Sequence, residues 1–477
     1  MMIIDAESIS ANQTTKRAAL IVATLASFLG PFMSSSVNVA LPSIGHEFSM
    51  SAVLLGWVNT GFLLTAATFS IPFGRLGDIY GRKKIYMAGV FVFTVASVLI
   101  AISISGMMLI LFRVMQGLGA SMIFATGMAI LISVFPANER GKVLGISVAA
   151  VYLGLSSGPF FGGLITEHLG WRYIFWLNLP TGTLLLAVIF FMLKGDWAEA
   201  KGLKFDLMGS VILGLSLLFT MYGFSKLPAI YAFGLIVLGI LGIIGFVIFE
   251  LHHEAPVIDM NLFRKNTVFA FSNLAALINY AATFAVSFML SIYLQKARGY
   301  SPQDAGLILV SQPIVQAIFS PFAGRLSDRI QPRTVSSLGM AFTLVGLVFL
   351  TMLNGDTPLY YIVGCLMFLG FGFALFSSPN TNAIMSSVER SFYGLASAMV
   401  GTMRQIGMVL SMGIVMMLMA LILGQAEIMA ENIGGFVSCM KISFIIFAVM
   451  CFGGIFASLA RGEMKLGDEN AQSGRDS

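Results

Sequence analysis

Charge is what this chain of 477 residues has least of: Lys, Arg, Asp and Glu together make up 10% of it, against 57% hydrophobic residues. A soluble protein of this length would form two or three domains, each covered by a charged surface, and that organisation is excluded. Cysteine is scarce too, with three in all. Cys365, Cys439 and Cys451 fall in apolar stretches, and the last two lie on one expected helix roughly 18 Å apart, beyond disulfide reach, so no disulfide framework is implied. The four histidines, His46, His168, His252 and His253, do not gather with acids into the catalytic cluster a polytopic membrane enzyme needs. No GxxxxGK[ST] loop is present, which argues against ATP as the energy source.

What is present is length without polarity. Apolar stretches recur that reach the ~20 residues a helix needs to cross the hydrocarbon core, and shorter alternating barrel strands do not fit them. Spans are expected at about 18–41, 52–73, 85–104, 107–133, 143–166 and 171–193, then 207–225, 229–249, 267–294, 305–323, 334–353, 358–378, 394–424 and 436–459. That is an all-α membrane protein of 14 transmembrane helices. The first apolar run is too long for a signal-peptide core and reads as an uncleaved first helix. No soluble domain is expected, which argues against a sensor with an output module.

Of the 27 Lys and Arg, 20 lie at the termini or after even-numbered spans, and only Arg172, Lys226, Lys296 and Arg298 lie in the opposite loops. Basic loops stay cytoplasmic, so both termini are expected there, in the inner or plasma membrane of the cell. The net charge of +5 then reflects topology and makes no case for nucleic acid.

Five of the scarce charges crowd into "GRLGDIYGRKK", Gly74 to Lys84, and part of that segment repeats. Gly74, Arg75, Leu76 and Asp78 return as Gly324, Arg325, Leu326 and Asp328, and Glu139–Arg140 returns as Glu389–Arg390, each at an offset of 250. A constant offset means a repeated unit. The expected organisation is a six-helix half at 1–194, a linker and inserted hairpin of spans 7 and 8 at 195–255, and a second six-helix half with its tail at 256–477. Parallel halves of this kind build secondary transporters with a midplane site between them.

The segment Gly74 to Lys84 resembles the signature loop of the major facilitator superfamily. "LILFRVMQGLGA", Leu109 to Ala120, is similar to that superfamily's helix-four motif, and "GLSSGPFFGG", Gly154 to Gly163, to the helix-five motif of its drug:proton antiporters. "VNVALPSI", "WRYIFWLNLPTG" and "GYSPQDAG" resemble the fourteen-helix drug-efflux branch. The resemblance covers nearly the whole chain and implies the major facilitator fold, with two six-helix halves and an inserted pair.

Chemistry and resemblance together nominate residues. Gly74 and Gly81 allow tight turns, and Arg82, Lys83 and Lys84 suit anionic headgroups. A positive-inside anchor explains the lysines but not Asp78, so a conformational latch is favoured, made by Gly74, Arg75, Asp78, Gly81, Arg82 and Lys83 with Arg325 and Asp328 of the repeat; the resemblance implies that Asp78 binds across the halves. Arg113 lies inside a span, where an arginine either serves function or snorkels. With Gln116 and Gly117 it is nominated for proton coupling, the role the resemblance implies. Gly154, Gly158 and Gly162 line one helix face, and with Pro159 and Gly163 they read as either plain packing or an antiporter hinge. Asn38, Asn178, Asn279, Gln312, Gln316, Arg404 and Gln405 are candidates for a substrate cavity, though each amide alone is more often an interhelical bond. Lys441 reads as snorkelling. Glu250, His253 and Glu254 have helical spacing but lack a fourth ligand, so no metal and no cofactor is expected.

One departure stands out. The resemblance leads one to expect an acid five residues before the Asn of "VNVALP", and Met33 stands there; no acid lies clearly inside a span. The expectation is a monomeric secondary transporter that exports small amphipathic molecules, neutral or weakly anionic, driven by exchange for protons and not by ATP, with a carrier of one specific metabolite as the alternative.

Overall fold

The computed structural model describes residues 13–198, 206–252, 260–388, 393–424 and 426–462. Among them fourteen helices are long and apolar enough to cross a membrane. Spans 1 to 6 are Gln13–Glu47, Ala52–Tyr80, Arg82–Ala101, Gly106–Val134, Ala137–His168 and Arg172–Phe191. Spans 7 and 8 are Leu207–Lys226 and Ile230–His252. Spans 9 to 14 are Thr267–Ala297, Pro302–Arg329, Pro332–Leu350, Leu359–Ser386, Tyr393–Ile422 and Ala430–Ala460. The number agrees with the apolar runs of the sequence. Several helices outrun their apolar stretch, span 1 by about one turn at each end, because a helix satisfies its own backbone wherever hydrophobicity stops.

The charged segment Gly74 to Lys84 is the clearest difference from the expected loop. Span 2 continues to Tyr80, the N–H of Gly81 closes its last turn on the carbonyl of Gly77 at 2.9 Å, and span 3 starts at Arg82. One residue makes the whole connection, with Gly81 at φ 116°, which an L side chain rarely adopts. Arg325 and Asp328 likewise lie in the last turns of span 10. Spans 2 and 10 run toward the same side of the bundle, termed the basic face below. Glu250 also departs from expectation: it lies within span 8, 2% exposed, while His253 and Glu254 are outside the described residues.

Packing repeats with the sequence. Span 1 lies on 5, 2 on 4, 3 on 4 and 3 on 6; correspondingly 9 lies on 13, 10 on 12, 11 on 12 and 11 on 14. Spans 7 and 8 pair with each other and rest span 7 against spans 2 and 13. Two glycines show how near the backbones come. A Cβ on Gly119 would stand 2.5 Å from the amide nitrogen of Phe93, and one on Gly339 would stand 2.5 Å from that of Phe376. Gly339 is the 250-residue echo of Gly89, whose own Cβ would meet the carbonyl of Gly119 at 2.9 Å. The same crossing is therefore built twice.

Helix association in a bilayer draws on such close contact, since lipid tails offer no hydrophobic contrast. Gly119→Leu is expected to cost about 1–3 kcal/mol by overpacking against backbone that has nowhere to go. Gly234→Ala, where a Cβ meets nothing within 4 Å, should be neutral. Thermal denaturation followed by size-exclusion chromatography in detergent checks the pair.

Candidate functional site

Away from the basic face the two halves meet in a polar seam. Ser291 Oγ donates to the carbonyl of Asn38 at 2.7 Å, Gln295 Nε2 to that of Val39 at 2.8 Å, and the N–H of Ala52 to the carbonyl of Ala426 at 3.0 Å. Thr60 Oγ1 reaches Met416 Sδ at 3.1 Å, beside Gly56, where any Cβ would press on the same methionine. Glu167 accepts the N–H of Gln303 at 3.2 Å, and His168 Nε2 lies 3.0 Å from Gln303 Oε1.

Span 5 belongs to both sides of this seam. Gly154, Gly158 and Gly162 face span 1 of their own half, where added Cβ atoms would collide with the carbonyl of Phe28, the hydroxyl of Ser35 and, at 2.6 Å, Cα of Ser36. Ser36 Oγ also donates to the carbonyl of Gly158 at 2.9 Å. Gly163 and Pro159 face span 10 of the other half: a Cβ on Gly163 would strike the carbonyl of Pro302, and one on Gly306 that of Pro159.

The basic end is different. Lys16 pairs there with Glu139 at 3.1 Å and Asn266 donates to the carbonyl of Ser387 at 2.6 Å, each within one half. Asp78 pairs with Arg82 four residues on, at 2.8 Å, and not with the other half. Arg82 also reaches Ser133. Sequence reasoning missed the group that holds this segment, the residues just after span 6. The N–H of Arg82 donates to the carbonyl of Trp197 at 2.9 Å, Asp196 accepts the N–H of Lys83 at 3.3 Å and pairs with Lys84 at 3.4 Å, and a Cβ on Gly81 would fall on the Asp196 carboxylate. Arg325 lies over the Phe322 ring, 6.0 Å from its centroid, and Gly74 faces Ala125. The side chain of Asp328 lies outside the description.

Arg113 does not snorkel. It is 1% exposed, donates from Nε to the carbonyl of Val58 at 3.0 Å and from Nη1 to Gln116 at 2.6 Å, and lies 4.4 Å above the Phe62 ring. Gln116 in turn donates to Ser97 at 2.7 Å, and a Cβ on Gly117 would meet the carbonyl of Phe62. The group ties spans 2, 3 and 4 together inside one half.

The amides separate into different places. Asn38 accepts from Asn59 at 2.6 Å within the seam, and Asn178 donates to Met33 Sδ at 3.2 Å inside the first half. Gln312 and Asn279 are buried in the second half, and Gln316 lends its carbonyl to Ser320 at 2.7 Å. Gln405 reaches the other half at mid-depth, accepting from Ser70 Oγ at 3.0 Å. Beside it a group appears that the sequence reading did not single out. Tyr152 of span 5 lies 3.3 Å from Ser377 of span 12 and stands next to Ser320, Tyr280 and Arg404. A tyrosine near the middle of an apolar run is the signal that could have found it.

Fourteen spans in two equivalent halves, closed on one side and joined at the centre by polar side chains, define a membrane carrier. The sequence model of the Major Facilitator Superfamily matches residues 23–263 and 273–475, and the chain belongs to that superfamily of transporters. It is a transporter and not an enzyme. It is 30% identical to the riboflavin transporter RibZ of Clostridioides difficile, across 92% of this chain and 96% of that one. It is 31% identical to the multidrug resistance protein Stp of Mycobacterium tuberculosis across 80% and 73%, and 27% identical to the tetracenomycin C resistance and export protein of Streptomyces glaucescens across 81% and 73%. A bacterial homologue of the human lysosomal transporter Spinster, solved inward-facing and unoccupied, superposes with a TM-score of 0.65 at 16% identity, covering 94% of this chain and 98% of that one.

The seam has its own test. Gly306→Val puts bulk where only a carbonyl fits, so it should prise spans 5 and 10 apart and widen that side by several ångströms. Spin labels at the exposed Leu169 and Lys296 would record the distance change by electron paramagnetic resonance, and an unaltered distribution would count against the seam as a gate.

Proposed function

We propose that the protein exports small amphipathic compounds by alternating access in exchange for protons, in a cell membrane whose cytoplasmic side is the basic face. The observation that carries this reading is the asymmetry of the halves: a sealed seam on one side, pairs such as Lys16–Glu139 and Asp78–Arg82 that stay within their own half on the other, and a polar cluster at the foot of the seam. In that orientation the conformation faces inward. Relatives named for drug resistance support export of amphipaths. Proton coupling rests on the likeness of Arg113 and Gln116 to the helix-four motif, while Met33 leaves span 1 without the acid that branch carries.

Asp78 acts as the latch in this scheme. With the basic face open its carboxylate is held by Arg82, and it is available to the facing end of the second half when that face closes.

A second reading has one observation behind it. The riboflavin transporter matches along 96% of its own length, whereas the drug-resistance relatives extend beyond the match. On that reading the cargo is one flat heteroaromatic metabolite.

Flux in inside-out vesicles with an acidic lumen tests the proposal. Amphipathic dyes should accumulate, and collapsing the pH gradient should lower the rate and remove the accumulation, which a gradient worth ~1.4 kcal/mol can raise to about tenfold. Equal rates without the gradient would remove proton exchange, and uptake confined to riboflavin-like compounds would favour the second reading. Asp78→Asn keeps size and removes charge; at equal expression it should lower flux to about a tenth or less and shift the population toward the open basic face. Wild-type flux would leave Asp78 an anchor.

A further inference from the structure

Five side chains from five spans and both halves converge at one depth. Tyr152, Tyr280, Ser320, Ser377 and Arg404 each lie between 16 and 18 residues from the seam end of spans 5, 9, 10, 12 and 13, and so share a level about 25 Å along their helices. Ser70 and Gln405, the bond between the halves, lie at the same level. Tyr152 is central: its hydroxyl is 3.3 Å from Ser377 Oγ, with Ser320 in hydrogen-bond reach and the Tyr280 phenol and Arg404 guanidinium within electrostatic reach.

The chemistry of this group is lopsided. Among the described residues Arg404 has neither a hydrogen-bond nor an ion-pair partner, and it is only half-buried. Arg113, by contrast, is enclosed and spends its N–H groups on Val58 and Gln116. Arg404 brings five N–H donors and a full positive charge to mid-membrane depth, where closure of the basic face would remove its water, and among the described residues no carboxylate pairs with it. The two phenols and the Ser377 hydroxyl add further donors, while Ser320 spends its proton on the carbonyl of Gln316. A guanidinium so placed recovers its lost hydration best from an anion, and charge-assisted bonds from phenols strengthen that anion's hold.

We propose that Arg404, Tyr152, Tyr280 and Ser377 form an anion subsite that takes the sulfonate or carboxylate head of an aromatic amphipath carrying one negative charge. A single cation suits a single anion, and the two tyrosine rings offer flat surface for the aromatic body next to the head. The inference rests on the reading of the chain as an exporter of amphipathic compounds and narrows its cargo.

The test uses two dyes with one skeleton, anilinonaphthalene sulfonate and its neutral analogue N-phenylnaphthylamine, and the full chain in phosphatidylcholine nanodiscs, which hold no anionic lipid. Saturable binding above that of empty nanodiscs is read by fluorescence. The wild type should bind the sulfonate about tenfold more tightly than the amine, as one charge-assisted pair allows. Arg404→Gln should abolish that preference while amine binding stays within about twofold, Arg404→Lys should keep part of it, and Tyr152→Phe should weaken only the sulfonate, by about threefold. Size-exclusion profiles verify that each variant is folded. Equal wild-type affinities, or sulfonate binding untouched by Arg404→Gln, would overturn the subsite and leave export of neutral amphipaths standing. Saturable binding of neither dye would overturn both readings together.

Discussion

A polar group inside a bilayer has to be satisfied by the protein, and the two central arginines answer that demand in opposite ways. Arg113 is closed in by a carbonyl, an amide and an aromatic face, all from its own half. Nothing about it changes when the halves move, so it behaves as a rivet through spans 2, 3 and 4. Arg404 lies between the halves with its donors unspent among the described residues. Its free donors face the space between the halves, where they are open to whatever enters.

The seam follows the same constraint. Its bonds run through backbone carbonyls, amides, a hydroxyl and a thioether, and among the described residues only Glu167 brings a carboxylate to it. Neutral bonds of this kind are worth about 0.5–1.5 kcal/mol each, so the whole seam sums to a few kcal/mol. That is a range a bound ligand with different affinity for the two states can overcome. A seam of buried ion pairs would strand charges whenever it opened, at several kcal/mol apiece. Glycine supplies the remaining closeness: Gly163 and Gly306 let backbone touch backbone, and such contacts part without leaving an unpaired polar group.

Much of this was legible in the sequence, because apolar length and a 250-residue offset are direct consequences of crossing a membrane twice with one design. The number of spans and the likeness of the halves follow from those two signals. Helix ends did not, since hydropathy marks the bilayer and not where hydrogen bonding stops; hence Gly74 to Lys84 proved helical apart from Gly81. Asp196 was invisible for another reason. Its partners Lys83 and Lys84 lie more than a hundred residues earlier, and nothing local distinguishes it from any acid after a span. The Tyr152 group escaped because a tyrosine counts as apolar in composition, although its hydroxyl needs a partner when buried. The cavity amides were named as a set, yet packing divides them: Asn38 joins the seam, Asn178 the first half, and Gln405 the centre.

The missing acid now has a structural counterpart. Met33 is 2% exposed and its sulfur accepts from Asn178, so span 1 satisfies that amide with a soft neutral acceptor where a carboxylate would have brought a buried charge. Among the described residues the first half consequently holds a cation at Arg113 that is solvated by a carbonyl and an amide, and no titratable group bonds Met33. Closing the basic face over an empty centre would strip water from Arg404 with nothing to replace it. An anion bound there turns the same closure into the burial of a neutral pair, which costs less. With the proposed anion subsite filled, the loaded carrier can then reorient more readily than the empty one.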